Sequence, residues 1–561
     1  MKDEIRSAAE GASNVAPRSG GTPDRISNTT SPIDGTTNQL NGAASLVSAL
    51  EDAGVDVCFA NPGTSEMHFV AALDQSASLR SVLCLAETVV TGAADGYARM
   101  TDKPGVTLLH TGPGLANGLS NLHNAKKALS PILNIIGDHA TYHVEFDAPL
   151  TADIEALAQP VSSWVKTTRE ASEIANDAYT GLQAAATYPG RVASLVLPAD
   201  TAWTAIEEPA QKTAPRAVYR QAGRSPSERT VESIATLLKS GEATALILTS
   251  TCLRQRGLAA ASRIQQATGA DFLAQTSNAR LERGAGRVFI EPVPYAVDRA
   301  IQRLSAYRNI VPVCAKAPVA FFAYPDKPST LSPDSAHIEF LAREDEDGEL
   351  ALEALVEALG AGDLEPQLEP AAVPDAPEHQ TLDADSIGRL VARLLPDNAI
   401  VVDESISSGA AFPQLLRGAA PHDWLQICGG SIGDGFPLAT GAAIACPQRP
   451  VIALQADGSG MYSLQALWTQ AREKLDITTL ILSNRAYAIL KHELANVGAV
   501  AGQTARELME LNNPEIDWVA LAAGMGVDGT RVTDTQQFEQ SFKSAIKEPG
   551  PHLLELVMQA R

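Results

Sequence analysis

A strand–helix–strand segment late in the chain constrains the fold most. Val451–Gln455 has the composition of a buried strand, and Thr478–Ser483 that of a second strand, which ends at Asn484. Apolar residues at helical spacing lie between them: Leu464, Leu467, Trp468, Ala471 and Leu475. Such a unit places both strand ends at one edge of a parallel sheet, where α/β proteins bind ligands. The sequence therefore predicts that Asp457 and Asn484 converge there.

The same alternation of buried strands and helices recurs through the rest of the 561 residues, which are too many for a single core. Two stretches, 207–226 and 365–380, read as linkers. The pattern predicts an α/β protein with three tandem parallel-sheet domains, over residues 40–205, 225–362 and 381–561. The other predicted strands are Val82–Ala86, Val106–His110, Ile132–Ile136, Ala245–Leu248, Ile310–Val313, Ile400–Asp403 and His552–Val557.

Composition narrows the class of partner. Residues 1–39 are polar and predict a disordered tail rather than a signal peptide. A net charge of −23 disfavours binding to nucleic acid and anionic membranes, and no apolar run approaches the ~18–20 residues of a membrane span. The six cysteines form no CxxC pair, so we expect neither a disulfide framework nor a zinc site. A cytoplasmic protein is the expectation.

The polar residues that follow the predicted strands Val451–Gln455 and Thr478–Ser483 have the chemistry of a metal and diphosphate site. A carboxylate from Asp457 and an amide oxygen from Asn484 are hard donors of the kind that Mg²⁺ prefers. Gly458 allows the backbone to approach a phosphate, and Ser459 can donate a hydrogen bond to it. The alternative is that Asp457 only caps a helix and Gly458 only shapes a turn.

This segment resembles the metal motif of thiamine-diphosphate enzymes, a GDGS sequence followed some 26 residues later by two asparagines. The chain differs at Ala456, where the motif has glycine, and at Ser483, where it has the first asparagine. Both side-chain ligands, Asp457 and Asn484, are retained. The resemblance implies that the carbonyl of Ala486 is a third Mg²⁺ ligand and that thiamine diphosphate is the cofactor.

Two further segments extend the resemblance. Glu87 begins a segment similar to the E-x₆₋₇-DGYAR element of the pyrimidine-binding domain, which implies that this carboxylate activates the cofactor's pyrimidine. In CGGSIGDGFP, the resemblance makes Ile432 the wedge that bends the cofactor and the Gly430 carbonyl a contact of the pyrimidine amine. The alternatives are a carboxylate that only complements a helix dipole and an isoleucine that only packs in a core.

Other segments resemble benzoylformate decarboxylases within this superfamily. FANPGTSE implies that Thr64 is a substrate contact, and LLHTGPGLANG implies that His110 transfers protons. VVDESISSG implies a diphosphate contact by Ser407, and Tyr487 is a further candidate. A purely structural role for His110 stays open. That family has a second active-site histidine from the middle domain, whereas 275–300, the expected stretch, contains none.

These features predict a thiamine-diphosphate- and Mg²⁺-dependent 2-oxo acid decarboxylase or carboligase that resembles benzoylformate decarboxylase. An acetolactate synthase that condenses pyruvate with a second 2-oxo acid is an alternative, as is a non-catalytic homologue that retains the fold. A nucleotide-binding oxidoreductase is disfavoured because no glycine-rich loop matches the full fingerprint. The resemblance implies a homo-oligomer, with a dimer as the minimum and a tetramer as the expected assembly. Candidates for the substrate pocket are Phe412, Phe436 and Leu490.

Overall fold

The part of the chain that the structure describes forms three sheets, each flanked by helices, which confirms the predicted α/β class with parallel sheets. The computed structural model describes residues 40–207 and 217–559, and these belong to one compact unit that starts at Leu40. The predicted disordered tail lies outside the described residues. Within the described ranges, no helix is both long and apolar enough to cross a membrane.

The first sheet has six parallel strands in the order β2-β1-β3-β4-β6-β5. Its first two strands have four residues each. The strands are β1 (Val57–Ala60), β2 (Arg80–Leu83), β3 (Gly105–Leu109), β4 (Ile132–Asp138), β5 (Trp164–Thr167) and β6 (Val192–Pro198). The helices are α1 (Gly42–Asp52), α2 (Met67–Leu73), α3 (Glu87–Thr101), α4 (Thr111–Ala128), α5 (Ile154–Ala158), α6 (Ile174–Ala186) and α7 (Ala199–Trp203).

The second sheet has five parallel strands in the order β10-β8-β7-β11-β12. The strands of this segment are β7 (Thr244–Leu248), β8 (Asp271–Ala274), β9 (Leu281–Arg283), β10 (Glu291–Pro292), β11 (Asn309–Val313) and β12 (His337–Ile338). Its helices are α8 (Glu228–Lys239), α9 (Gln255–Thr268), α10 (Val297–Leu304) and α11 (Gly348–Leu359). Strand β9 does not join this sheet. It pairs instead with the third sheet, which the sequence did not predict.

The third sheet has seven strands in the order β17-β18-β16-β15-β13-β14-β9, all parallel except β9. Its further strands are β13 (Ala399–Glu404), β14 (His422–Gln426), β15 (Val451–Ala456), β16 (Ile477–Ser483), β17 (Asp528–Val532) and β18 (His552–Val557). Its helices are α12 (Ala384–Leu394), α13 (Phe412–Leu415), α14 (Gly435–Ala445), α15 (Asp457–Gly460), α16 (Ala466–Glu473), α17 (Ala488–Asn496), α18 (Gln503–Glu507), α19 (Trp518–Gly524) and α20 (Thr535–Ala545).

Close packing between α3 and α14 joins the first and third sheets. Added Cβ atoms at Gly96 on α3 and Gly441 on α14 would collide with backbone of the opposite helix, so glycine is what allows this approach. A buried ion pair within α3, Arg99 to Asp95, faces Asp434 just before α14 at 3.8 Å. The contact fixes the start of α3, which carries Glu87, relative to the glycine-rich loop before α14.

Candidate active site

The loops that follow β15 and β16 come together as predicted, because the two strands are adjacent and parallel. Asp457 is 2% exposed at the start of α15. Its two carboxylate oxygens accept hydrogen bonds from the backbone amides of Gly458 at 2.9 Å and Arg485 at 2.6 Å. Burial raises the pKa of the Asp457 carboxyl to about 6, although these hydrogen bonds act in the opposite direction. A buried carboxylate of this kind favours a bound cation.

The loop after β16 carries the other two predicted ligands. Asn484 Oδ1 accepts from the Ala486 amide at 2.9 Å, and its Nδ2 donates to Ser408 Oγ at 3.0 Å. Between them, Arg485 has a φ of 58°, which turns its amide toward Asp457. Two backbone hydrogen bonds join this loop to the next segment: the Arg485 carbonyl accepts from the Leu511 amide, and the Tyr487 amide donates to the Met509 carbonyl. The Ala486 carbonyl therefore accepts no hydrogen bond from the described residues and is free to bind a cation.

The residues beside this pair fit a bound diphosphate only in part. A Cβ added to Gly458 would lie 2.5 Å from Tyr487 Cε1, so only glycine fits against that ring. Ser459 is buried and donates to the Ala456 carbonyl at 3.2 Å, so its proton is used within the chain. Ser407 makes no side-chain hydrogen bond among the described residues. Its neighbour Ser408, which sequence reasoning did not single out, contacts Asn484 instead.

The other predicted end of the site is Glu87, the first residue of α3. Its carboxylate is half-buried and accepts a hydrogen bond from Asn117 Nδ2 at 3.2 Å. It lies in a cleft of about 510 Å³ together with Gly430, Ile432 and Tyr462. The pyrimidine-end residues predicted from separate segments therefore meet in one space.

A buried carboxylate fixes the loop that carries Gly430 and Ile432. Glu404, 1% exposed, accepts from the amides of Gly433 at 2.6 Å and Gly435 at 2.7 Å. Burial raises the pKa of this carboxyl. From the other side, Asn124 on α4 donates to the Ser431 carbonyl at 2.7 Å. Gly430 itself has a φ of 77°, a conformation that favours glycine. Glu404 was not predicted as a site residue, since its role depends on backbone amides 29 or more residues away.

A histidine–glutamate pair lies next to Glu87. A Cβ added to Gly114 would be 3.0 Å from Glu87 Oε1 and 3.4 Å from His110 Cβ, so the two residues flank this glycine. His110 Nδ1 lies 3.0 Å from Oε2 of Glu66, which is fully buried and also accepts from the Gly63 amide at 2.6 Å. Nε2 of His110 makes no hydrogen bond to the described residues and remains available to another group.

Glu66 was missed at the level of sequence, although it ends the segment FANPGTSE that suggested Thr64. Both residues belong to one short 3₁₀ turn after β1. Thr64 is exposed and makes no hydrogen bond to the described residues, whereas Glu66 points inward and contacts His110. A sequence signal for Glu66 was available. An acidic side chain so close to the buried strand β1 is uncommon, and it indicates a polar partner inside the protein.

The predicted substrate-pocket residues need correction. Phe412 and Phe436 are wrong for this role because both have 0% exposure and lie in the hydrophobic core. Leu490, on α17, is 48% exposed and remains a candidate. A loop of the middle segment, residues 318–331, borders the cleft where Phe321 touches Gly430. The stretch 275–300, where a second histidine was expected, contributes Tyr295 beside that loop.

Comparison with known proteins gives matches over both ends of the chain. Residues 40–159 match the model for the thiamine pyrophosphate enzyme N-terminal TPP binding domain, and residues 407–556 match that for the C-terminal TPP binding domain. The chain is 46% identical over 523 residues to a Mycobacterium tuberculosis protein named "Putative acetolactate synthase large subunit IlvX", a match that covers 92% of this chain and 99% of the relative.

More distant relatives have two different names. A benzoylformate decarboxylase of Pseudomonas aeruginosa is 27% identical, over 90% of this chain and 96% of the relative. Acetolactate synthase isozyme 1 large subunit of Escherichia coli is 25% identical, over 94% and 95%. Among solved structures, a thiamine diphosphate-dependent 4-hydroxybenzoylformate decarboxylase of Rhodococcus jostii RHA1 superposes with a TM-score of 0.79 and 25% identity, covering 93% of this chain and 100% of that one.

Proposed function

We propose that this chain, which belongs to the thiamine pyrophosphate enzyme family, is a Mg²⁺-dependent 2-oxo acid decarboxylase that can also act as a carboligase. Its relatives include proteins named acetolactate synthase and benzoylformate decarboxylase, so membership leaves the reaction open. The proposal depends on which of the chain's own groups surround the cofactor cleft.

The donor set supports a diphosphate held through Mg²⁺. The Asp457 carboxylate, the Asn484 amide oxygen and the Ala486 carbonyl lie on adjacent loops and would give Mg²⁺ three hard oxygens, with the phosphate oxygens as further ligands. When bound, thiamine diphosphate supplies a carbon nucleophile that attacks the 2-oxo group and holds the electrons released with CO₂. Glu87 lies in the cleft with Gly430 and Ile432, where its carboxylate can exchange a proton with the pyrimidine ring.

The observation that carries decarboxylation is the pair formed by His110 and Glu66. The buried Glu66 carboxylate orients the imidazole through Nδ1 and leaves Nε2 available beside Glu87. An imidazole held in this way can deliver a proton to the product carbon, which yields an aldehyde. This imidazole therefore favours protonation over attack on a second carbonyl compound.

Acetolactate synthesis is the second candidate function. The supporting observation is the 46% identity, over almost the full length of both chains, to the mycobacterial protein with that name. In that case His110 would donate a hydrogen bond to the oxygen of a second 2-oxo acid instead of delivering a proton to the product carbon. The two candidates share the cofactor, Mg²⁺ and Glu87, and differ in the role of His110.

We further propose that the active unit is a homodimer in which Glu87 of one subunit faces the metal ligands of the other, with a tetramer as a pair of such dimers. Asp457 and Asn484 are not among the described residues that line the cleft with Glu87. Apolar side chains around this cleft are also exposed, Leu85 to 44% and Tyr462 to 55%. Exposed apolar surface beside a functional cleft is typical of a subunit contact.

A cofactor titration followed by a substrate panel tests the proposal. Thiamine diphosphate is titrated calorimetrically with and without Mg²⁺, and the loaded protein is assayed for CO₂, aldehyde and 2-hydroxy ketone from benzoylformate, pyruvate and 2-oxobutyrate. We expect Mg²⁺-dependent binding and CO₂ with aldehyde as the main product. Acetolactate as the main product would favour the second candidate. Cofactor binding without any CO₂ would identify a non-catalytic homologue.

A further inference from the structure

Three aromatic side chains of the middle segment form an exposed cluster, here called the aromatic rim: Tyr295, Phe321 and Phe322. The Tyr295 and Phe321 ring centroids are 5.4 Å apart, and those of Phe321 and Phe322 are 4.9 Å apart in an edge-to-face arrangement. The three residues are 38%, 46% and 56% exposed. Aromatic side chains are rarely left in water as a contiguous group unless they contact a ligand or a partner.

The aromatic rim borders the cofactor cleft directly. A Cβ added to Gly430 would lie 2.6 Å from Phe321 Cζ, so this ring packs on the backbone of the residue predicted to face the pyrimidine amine. Gly430 and Ile432 line the cleft that contains Glu87. The Phe321 ring therefore lies at the edge of the space beside Ile432, against the backbone of Gly430.

The loop that carries Phe321 is held in place rather than loose. Residues 318–331 close on themselves through backbone hydrogen bonds from Ala320 to Ser329 at 2.8 Å and from Leu331 to Pro318 at 3.0 Å. Tyr324 Oη then donates to Glu493 at 2.7 Å, and Glu493 belongs to α17, the helix directly after the metal-binding loop. This tether fixes the aromatic rim relative to α17 of the same chain, and a selective pocket requires such a fixed wall.

We propose that Phe321, supported by Tyr295 and Phe322, determines substrate specificity by forming an apolar wall that accepts the side chain of the 2-oxo acid. The inference rests on the proposed function of the same site. The wall selects acids with a bulky apolar or aromatic side chain over pyruvate, whose methyl group is too small to cover an exposed aromatic ring. Tyr324, through Glu493, acts as a positioning residue for this wall.

The physical basis is the apolar area that a large side chain removes from water. A phenyl group that stacks on Phe321 buries far more area than a methyl group, and aromatic pairs gain further from favourable edge and face contacts. The polar groups proposed for the reaction, the Glu87 carboxylate at the pyrimidine and His110 at the reacting carbon, act on features that all 2-oxo acids share. Discrimination by side chain is therefore assigned to the apolar surface that Phe321 provides.

The test compares the wild-type protein loaded with thiamine diphosphate and Mg²⁺ with Phe321→Ala and a matched control, Val319→Ala. Val319 is on the same loop and 60% exposed but is outside the aromatic cluster. Turnover is measured with benzoylformate and pyruvate. Binding is measured by calorimetry with mandelate and lactate, which carry the same side chains but no reactive carbonyl. The oligomeric mass of each variant is recorded by mass photometry.

We expect the kcat/KM ratio of benzoylformate to pyruvate to fall about tenfold or more in Phe321→Ala and to stay within about twofold in Val319→Ala. Mandelate should lose the same factor in affinity relative to lactate. An unchanged kcat/KM ratio with normal turnover would contradict the proposed role of Phe321 and leave the proposed function intact. A mandelate preference that needs Phe321, in a protein without turnover, would retain the wall and reject the proposed reaction. Equal losses for both acids with a changed mass would show a subunit contact and overturn the inference.

Discussion

At the scale of single residues, four carboxylates of the candidate site differ in their partners and so in their chemistry. Glu404 is buried and holds a loop through the loop's backbone amides, whereas Asp457 is buried and accepts from the amides of Gly458 and Arg485. Glu66 is buried against an imidazole, and Glu87 opens into the cleft. The roles proposed for them, an anchor, a metal ligand, an orienting group and a proton carrier, follow from what each carboxylate contacts.

Replacement of Glu87 by glutamine tests the proton carrier. Glutamine keeps the size and the contact with Asn117 but cannot accept and return a proton. We expect kcat to fall by about a hundredfold or more, while the thiamine diphosphate affinity in calorimetry changes little, because the diphosphate is held elsewhere. Near-normal turnover in this variant would remove Glu87 from its proposed role.

Replacement of Glu66 by glutamine tests the orienting group. The amide can still accept from Gly63 but no longer balances a protonated His110. We expect kcat to fall by roughly ten- to a hundredfold and KM to stay within about threefold, because proton transfer and not binding is affected. Thermal melting is the control for an intact fold. A variant with unchanged kcat would make the His110–Glu66 pair purely structural.

At the scale of elements, the sequence was most informative where one strand leads directly to its neighbour. Hydrophobic patterning identified β15 and β16, and the handedness of their connection was enough to place Asp457 beside Asn484. Patterning could not reveal that β9 leaves its own segment and pairs antiparallel with β14, because that pairing depends on contacts between residues about 140 positions apart. The same limit concealed Glu404, Ser408 and Phe321.

The β9–β14 pairing makes folding sensitive to acid. It places Arg283 opposite His422, which is 1% exposed and donates from Nδ1 to the Ala420 carbonyl. Burial, and then the Arg283 charge, lowers the pKa of His422 to about 3. In the unfolded chain His422 binds a proton with a pKa near 6.5, whereas in the folded chain its pKa is about 3. The free energy of unfolding should therefore decrease by about 1.4 kcal/mol per pH unit below 6.5 on account of this residue.

His422→Asn isolates this contribution, since asparagine can donate to the same carbonyl but does not titrate. Urea unfolding of both proteins at pH 7.5 and pH 5.0 gives the comparison. We expect the variant to be less stable at pH 7.5, and the difference to shift in its favour by about 2 kcal/mol at pH 5.0. If the stability difference were the same at both pH values, His422 would bind its proton equally in the folded and the unfolded protein, and its pKa would not be lowered by folding.

At the scale of the whole molecule, the proposed dimer predicts that two inactive variants can complement each other. Co-expression of Glu87→Gln with Asp457→Ala gives mixed dimers in which one site has both defects and the other has neither. With random pairing we expect about a quarter of the wild-type activity per site. Each variant alone is the control. If both ends of the cofactor were held by one chain, every site would carry a defect and no activity would return.

The most direct test of the central claim is a crystal structure of the complex with thiamine diphosphate and Mg²⁺. We expect Mg²⁺ at about 2.1 Å from the Asp457 carboxylate, the Asn484 amide oxygen and the Ala486 carbonyl. We also expect Glu87, from the neighbouring subunit, within hydrogen-bond distance of the pyrimidine of the same cofactor. A cofactor bound with its diphosphate away from the Asp457–Asn484 pair, or with no Glu87 at its pyrimidine, would contradict the central claim.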